Sequence, residues 1–498
     1  VLYSGIRLKQ PVNGREAAAQ VIYHCLALHD MASFDPVLRQ TVNFLSLPER
    51  NLAVAIVYGT MTYLYTIDYV LGKHCKIGLE KLDPWLKSVL RTAVWQLRYS
   101  RNLPETAVVN ECCKLVKKYR HQGMVDFANA VMRAEVSHPV CIPPGNLALQ
   151  YSLLPELAGY FKKRFGIEQA KIELQALLMP PDLTVRVNRC RSNVISLINE
   201  LKLYSVAAEA HPYFDHVLKL NLKGASLTEL PAFKVGKFFV QGIGAMLVGM
   251  IAPIPTHPDD NHLVIDLCAA PGGKITHVLE RLLLSNKSPS SGNLPTSTYT
   301  NEQSIASFVE AWDINQARLD ALIDNLSRLG LPEIKTAVVD ATDRKAEPII
   351  RCSGKAALVI ADVPCSGLGV LARKPELRWN MNYEKICRLL PLQAEILRTA
   401  SLLTAAQGYL LYSTCTLNWD ENEGQVNTFL ESAEGQEFTP VDLTPYLPVS
   451  FVDRLDEVER KNLSAGKLNL LPARDGCEGF FISLLQRKKN LKKQLLKT

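Results

Sequence analysis

The stretch Leu263-Val264-Ile265-Asp266-Leu267-Cys268-Ala269-Ala270-Pro271-Gly272-Gly273-Lys274 decides the fold. A short apolar run ends in an acid, passes through a turn of small residues with two glycines, and opens a helix over 275–284. Strand, glycine turn and helix in that order form the first unit of an open α/β sheet. The glycines let the backbone approach a ligand closely at the helix N-terminus. The spacing is neither Gly-x-Gly-x-x-Gly nor a P-loop, so phosphate binding is not the first expectation.

Working outward, strands are expected at 309–314, 336–339, 357–361, 408–412 and 480–485, with helices between them. Such alternation implies a parallel sheet with helices on both faces. Acids stand where the first three strands end: Asp266, Asp313 and Asp340. An acid at a strand terminus can accept from both hydroxyls of a ribose, which suits Asp313, and Asp340 is expected near an adenine edge. Taken singly, each Asp reads more readily as a helix N-cap. In series on three strands, the nucleoside reading prevails. Residues 285–304 are rich in Ser, Thr, Asn, Pro and Gly and read as a solvated loop insertion.

The next two strands lead into cysteines, in Asp362-Val363-Pro364-Cys365-Ser366-Gly367 and Ser413-Thr414-Cys415-Thr416. Ligands of open sheets bind outside the carboxyl ends of the strands, so both thiols are expected at one crevice. Two thiols beside a nucleotide-type turn suggest covalent catalysis on a soft electrophile rather than a disulfide. None of the 12 cysteines is in Cys-x-x-Cys spacing, and no His/Cys cluster has zinc spacing, so no metal is expected.

Ahead of this block, 12–138 reads as helices throughout. Pro139, Pro143, Pro144 and Gly145 end that bundle. A further helical stretch, 154–178, leads to a small α+β segment with strands at 183–188 and 217–220 and a helix at 194–203. With 498 residues and 47% hydrophobic content, the chain holds two to four domains with real cores. Its net charge of +7 is unevenly placed. Residues 1–150 carry 17 Lys+Arg against 11 Asp+Glu, and Arg487, Lys488, Lys489, Lys492, Lys493 and Lys497 form a tail without acids. Basic ends around a near-neutral block suit a polyanionic substrate. There is no signal peptide and no apolar run of about 18 residues, so a cytoplasmic chain with reduced thiols and no membrane span is expected.

The motifs at 266–274, 362–367 and 412–416 resemble those of the S-adenosylmethionine-dependent RNA 5-methylcytosine methyltransferases, the Sun/Fmu family. Supporting segments are Arg373-Lys374-Pro375-Glu376-Leu377-Arg378-Trp379, Glu421-Asn422-Glu423, Leu470-Leu471-Pro472 and Gly479-Phe480-Phe481. The match covers roughly 150–487. The front half resembles the NusB fold through Glu49-Arg50, Tyr58-Gly59-Thr60, Leu90-Arg91, Gln96-Leu97, Pro104, Val108-Val109-Asn110-Glu111 and the run from Phe127 to Arg133. A NusB-like domain fused to this core is the architecture of the RsmB-type methyltransferases of small-subunit ribosomal RNA. Two departures stand out: the family's Gln-Asp-Glu-Ala-Ser reads Gln241-Gly242-Ile243-Gly244-Ala245, and Thr62 stands where many NusB-like domains carry Arg.

The resemblance implies an all-α NusB-like bundle over 1–140, linker helices and a small α+β RNA-binding segment over 141–236, a doubly wound Rossmann-like methyltransferase domain over 237–487, and a basic tail over 488–498. It implies transfer of a methyl group from S-adenosylmethionine to C5 of a cytosine in small-subunit (16S) ribosomal RNA, by a monomer. Cys415 is then the nucleophile that adds to C6, and Cys365 promotes product release. Asp362, protonated, holds the cytosine N3/N4 edge and borders the cofactor. The cofactor residues are Cys268, Ala269, Ala270, Pro271, Gly272, Gly273, Lys274, Asp313, Asp340 and Asp362. Arg373–Arg378 is expected near the target base, and Arg186, Asn188 and Lys219 on a second RNA surface. Two other classes compete. An exocyclic-amine methyltransferase would need Asn/Asp-Pro-Pro-Tyr/Phe where Asp362-Val363-Pro364-Cys365 stands. A non-catalytic assembly or antitermination-type factor would not need both cysteines and both cofactor acids.

Overall fold

A computed structural model of the chain describes residues 9–27, 34–100, 103–179, 182–255, 263–287 and 302–489. They fall into two units. One is the chain up to Met179 together with Leu371–Tyr383; the other is Pro180–Val370 together with the chain from Glu384 onward.

The first unit is helical. Helix Gly14–Ala27 buries Ala17, Ala18, Ala19, Val21 and Ile22 completely. Its run of small side chains lets it pack closely against Leu47–Thr62 and Pro84–Tyr99. Pro84 opens the latter helix at a position where its missing N–H costs nothing, and the Asp83 carboxylate caps it by accepting from Leu86 N. Trp85 fills the centre, with the rings of Tyr23 and Tyr119 edge-on at 5.9 and 5.0 Å. Helices Glu105–Tyr119 and Gln122–Ser137 complete the bundle. The helical stretch expected over 154–178 consists of two helices, Pro155–Phe165 and Ile167–Ala176, broken at Gly166, whose φ of 75° no continuing helix allows.

Leu371–Tyr383 belongs to this helical unit although its sequence neighbours do not. The Arg378 guanidinium is fully buried and donates to Tyr151 O at 2.9 Å and Leu177 O at 2.5 Å. Trp379 Nε1 donates to Met61 O at 3.1 Å. Arg378, expected beside the target base, is an interior clamp: its charged head is spent on two backbone carbonyls.

The second unit contains two sheets among the described residues. Strands β1 (Leu183–Val187), β2 (Ala207–Ala210), β3 (Val217–Asn221) and β4 (Phe238–Val240) form an antiparallel sheet ordered β2-β3-β1-β4. The larger sheet holds β5 (Leu263–Asp266), β6 (Val309–Asp313), β7 (Lys335–Val338), β8 (Ala356–Asp362), β9 (Thr404–Thr414), β10 (Phe438–Pro440), β11 (Lys467–Leu470) and β12 (Phe480–Arg487). Its order is β10-β12-β9-β8-β5-β6-β7, with β11 also on β12. The apolar runs are continuous because both faces are covered. Leu358 and Ile360 of β8 enter one core with Leu411; Val359 and Ala361 enter the other with Leu410 and Tyr412.

From β7 to β9 the sheet is parallel, as expected. The last strand departs from that expectation: β12 runs antiparallel to β9, and β10 and β11 run antiparallel to it. An apolar run reports burial, not direction. The chain order reverses between β5 and β8, which makes the carboxyl edge of these strands the switch point of the sheet.

Candidate active site

Each motif reaches that edge by the end of a strand. β5 delivers Asp266 and the turn 268–274; β6 delivers Asp313; β8 ends in Asp362 and leads to Cys365; β9 leads to Cys415. β8 and β9 pair in parallel with Asp362 beside Ser413. Three residues on from one and two on from the other, the sulfurs of Cys365 and Cys415 lie 3.3 Å apart.

Asp362 receives two donors, Lys274 Nζ at 2.5 Å and Ser413 Oγ at 2.7 Å. Burial works against the charge of the Lys274 ammonium, but Asp362, with Asp266 and Cys415 adding to it, outweighs burial and leaves its pKa raised. The Cys365 thiol is held well above its ordinary pKa, first because it hydrogen-bonds the Cys415 sulfur and then because it is buried. A neutral thiol therefore faces Cys415, with a cation nearby.

Asp266 is fully buried, and burial pushes its carboxyl up to about 7; Lys274 draws it down while Asp362 and Asp313 push it up. One oxygen accepts from Cys268 N at 3.3 Å, and the other has no hydrogen-bond partner among the described residues. Asp313 accepts from Ala270 N at 3.3 Å and Asn315 N at 3.0 Å, with Arg318 at 3.5 Å. These bonds tie the glycine turn to the end of β6. Gly272 takes a φ of 103°, which a side chain would strain. Asp340 stands apart from this cluster: it is exposed, and its Oδ1 accepts from Thr342 N and Oγ1 at 2.9 and 2.7 Å.

Behind Cys365 lies a polar cluster that motif reading only partly anticipates. Glu421 is buried and accepts from Ser366 N at 2.8 Å, from Ser366 Oγ and from Gln393 Nε2 at 2.9 Å. Gln393 also donates to Pro364 O at 2.9 Å, and Ser366 Oγ lies 2.7 Å from Thr416 Oγ1. Burial raises the Glu421 pKa against the pull of these donors. The cluster fastens both cysteine loops together. Gln393 sits in helix Tyr383–Leu403 and carries no local signal for this role.

Two of the three residues expected on an RNA surface are otherwise engaged. Arg186 is buried and ion-pairs with Glu280. Asn188 is buried and donates to Gly236 O and Leu329 O at 2.8 and 2.9 Å. Lys219 stays at the surface, in an exposed pair with Asp182 at 2.7 Å. The departure at 242–244 has a steric reason: a Cβ at Gly242 would meet the Glu478 carboxylate, and one at Gly244 the Phe480 ring. Among the described residues no group of three or more His, Cys, Asp or Glu is placed to hold a metal ion, and no single helix is long and apolar enough to cross a membrane.

Two family models match the chain: the NusB family over 12–136, and the 16S rRNA methyltransferase RsmB/F over 296–486. The probable ribosomal RNA small subunit methyltransferase B of Bacillus subtilis is 29% identical, across 90% of this chain and 92% of that protein. The corresponding Synechocystis protein is 29% identical across 89% and 92%. Ribosomal RNA small subunit methyltransferase B of Yersinia pseudotuberculosis is 25% identical across 97% and 100%. Among solved structures, PH0851 superposes with a TM-score of 0.72 at 24% identity, across 97% of this chain and 100% of that one. NSun6 from Pyrococcus horikoshii, solved with SFG, gives 0.52 at 21% identity, across 67% and 98%. Both family models are matched in chain order: a NusB-family domain stands at the front of the chain, and the doubly wound sheet that follows it in sequence carries the match to the 16S rRNA methyltransferase RsmB/F family.

Proposed function

We propose that this small-subunit rRNA methyltransferase acts on C5 of a cytosine through a cysteine adduct at C6. The observation that carries the reading is the thiol pair, Cys365 and Cys415 at 3.3 Å, on the sheet edge that also holds the glycine turn and its acids.

Cytosine C5 is too weak a nucleophile to take a methyl group unaided. The Cys415 thiolate adds to C6, and the ring becomes an enamine nucleophilic at C5. A free thiol is only a few per cent ionised at neutral pH, so the site must favour the anion. Cys365 does so by donating to the Cys415 sulfur, and the Lys274 ammonium by its charge. Asp362, anchored by Lys274 and Ser413, takes the N3/N4 edge of the base. After transfer a water molecule in the crevice takes the C5 proton, the C5–H electron pair forms the ring double bond, and the C6–S bond breaks with its electrons returning to Cys415. Cys365 promotes that elimination.

S-adenosylmethionine, the methyl donor of this family, supplies an electrophilic methyl on a sulfonium sulfur. The residues suit it: Cys268–Lys274 make the close-approach turn, Asp313 stands where ribose hydroxyls would be held, and the open Asp266 oxygen nearby is a buried acceptor. Asp340, exposed beyond the end of β7 with its Oδ1 on Thr342, is the residue proposed for the adenine side. By this reading 1–140 holds RNA phosphates, 141–236 supports the target strand and 237–487 performs transfer, in a cytoplasmic monomer. The basic tail at 488–498 lies outside the described residues from 490 onward, as does most of the 285–304 insertion.

Bisulfite sequencing tests the whole reading. Small-subunit rRNA from a strain lacking this gene should lose one 5-methylcytosine, and the purified protein with S-adenosylmethionine should restore it. An unchanged methylation map, with no transfer to unmodified RNA, would sink the proposal.

A further inference from the structure

Gln241 follows β4 and is clamped to β1 at both ends of its backbone. Its N–H donates to Thr184 O at 3.2 Å, and its carbonyl accepts from Thr184 Oγ1 at 2.7 Å. The side-chain amide is used at both ends as well. Oε1 accepts from Arg186 Nε at 2.9 Å, and Nε2 donates to Gly273 O at 2.9 Å. Gly273 is the last glycine of the turn and the first residue of helix Gly273–Lys287. A Cβ there would lie 3.3 Å from both Gln241 Nε2 and Phe239 Cε1, a tight contact that would press on the side chains holding the turn.

Arg186 supplies the remaining ties to the same helix. It ion-pairs with Glu280 through Nη1 and donates from Nη2 to Thr276 Oγ1 at 3.1 Å. The other Glu280 oxygen accepts from Arg189 N at 2.8 Å. Thr276 and Glu280 are four residues apart and share one helix face. The small sheet therefore grips the first two turns of this helix at three points, Thr276 and Glu280 buried and Gly273 partly so.

We infer that Gln241 and Arg186 are positioning residues for cofactor binding, through which the small sheet sets the orientation of the glycine turn. This rests on the reading of that turn as the S-adenosylmethionine site. The peptide unit is planar and trans, so the carbonyl of Gly273 and the N–H of Lys274 point in opposite directions. Fixing the carbonyl on Gln241 aims that N–H away from the small sheet. It is one of the first-turn donors for which a helix has no internal partner. The same tether fixes the Lys274 backbone, and with it the base of the side chain that reaches Asp362. Without it, two adjacent glycines leave the turn free to sample other conformations. Ordering the turn would then be charged against every binding event.

The test uses the full chain, with S-adenosylmethionine as the titrant in calorimetry. Gln241→Leu keeps the volume but loses both side-chain bonds; Gln241→Glu keeps the Arg186 acceptor and loses only the donor to Gly273. Both should raise Kd for S-adenosylmethionine about tenfold, the scale of one or two lost hydrogen bonds. KM for S-adenosylmethionine should rise in proportion, by a larger factor than any fall in kcat at saturation. A merely structural role would lower Tm and the active fraction and leave KM where it was. Affinity within twofold of the parent in the variant that folds would overturn the inference. A parent chain that fails to bind S-adenosylmethionine at all would overturn both this and the reading of the turn, and is told apart by needing no variant.

Discussion

Cys365 and Cys415 come from loops after adjacent parallel strands, and their sulfurs are 3.3 Å apart in a site where the first is held as a neutral thiol. On the proposed chemistry Cys415 adds to C6 and Cys365 serves release. Cys415→Ala should abolish methyl transfer while RNA and cofactor binding persist. Cys365→Ala should permit addition and transfer but impair elimination, leaving protein covalently joined to methylated RNA. A gel-shifted band that survives denaturant reads this out, and the double variant should lack it. Adduct accumulating with Cys415→Ala instead would reverse the assignment.

Asp313 binds the glycine turn through Ala270 and stands at the end of the strand next to it. Asp313→Ala should weaken S-adenosylmethionine binding by roughly 1–3 kcal/mol, the scale of hydrogen bonds to a charged group. Calorimetry showing unchanged affinity would move the ribose contact elsewhere.

Asp266 gives a pH signature. Its folded pKa, pushed by burial to about 7, lies above the ordinary carboxyl value of 3.8. Between those values the folded state binds more protons than the unfolded one, so this group's contribution is full below about pH 4 and is lost as pH rises through 7. Asp266→Asn should therefore gain stability over the parent progressively from about pH 4 to about pH 7 and level off above, by roughly 2–4 kcal/mol at most. Melting curves without cofactor across that range measure it. A pH-independent difference would mean that the carboxyl does not titrate there.

Arg378→Met should be a stability variant rather than an RNA-binding one. It strips the donors from Tyr151 O and Leu177 O and should cost about 2–4 kcal/mol in the helical unit. Thermal unfolding should shift down, with RNA affinity at low temperature unchanged. The opposite pattern would return Arg378 to the substrate.

What was legible in the sequence was what is local. The runs 357–361 and 408–412 are apolar at every position because both faces of the sheet are covered, and the glycine turn and the thiols follow strand ends directly. Arg186 and Asn188 show the limit. On an alternating strand a polar residue reads as outward, but here that face is roofed by the protein itself, and the Glu280 that neutralises Arg186 lies 94 residues away. Arg378 misleads for the same reason, its carbonyl partners being more than 200 residues back. The short strands β4 and β10 hold three residues each, too few to show a period.

The route of the chain through Leu371–Tyr383 bears on how the protein is made. The helical bundle begins at the N-terminus, but the guanidinium and indole that complete it are encoded after β8. During synthesis Met61 O, Tyr151 O and Leu177 O must wait for Arg378 and Trp379 to leave the ribosome. For the same reason, no expression boundary placed near residue 180 yields a finished front half. A split version would regain it only if residues 371–383 were returned as a grafted segment or a peptide.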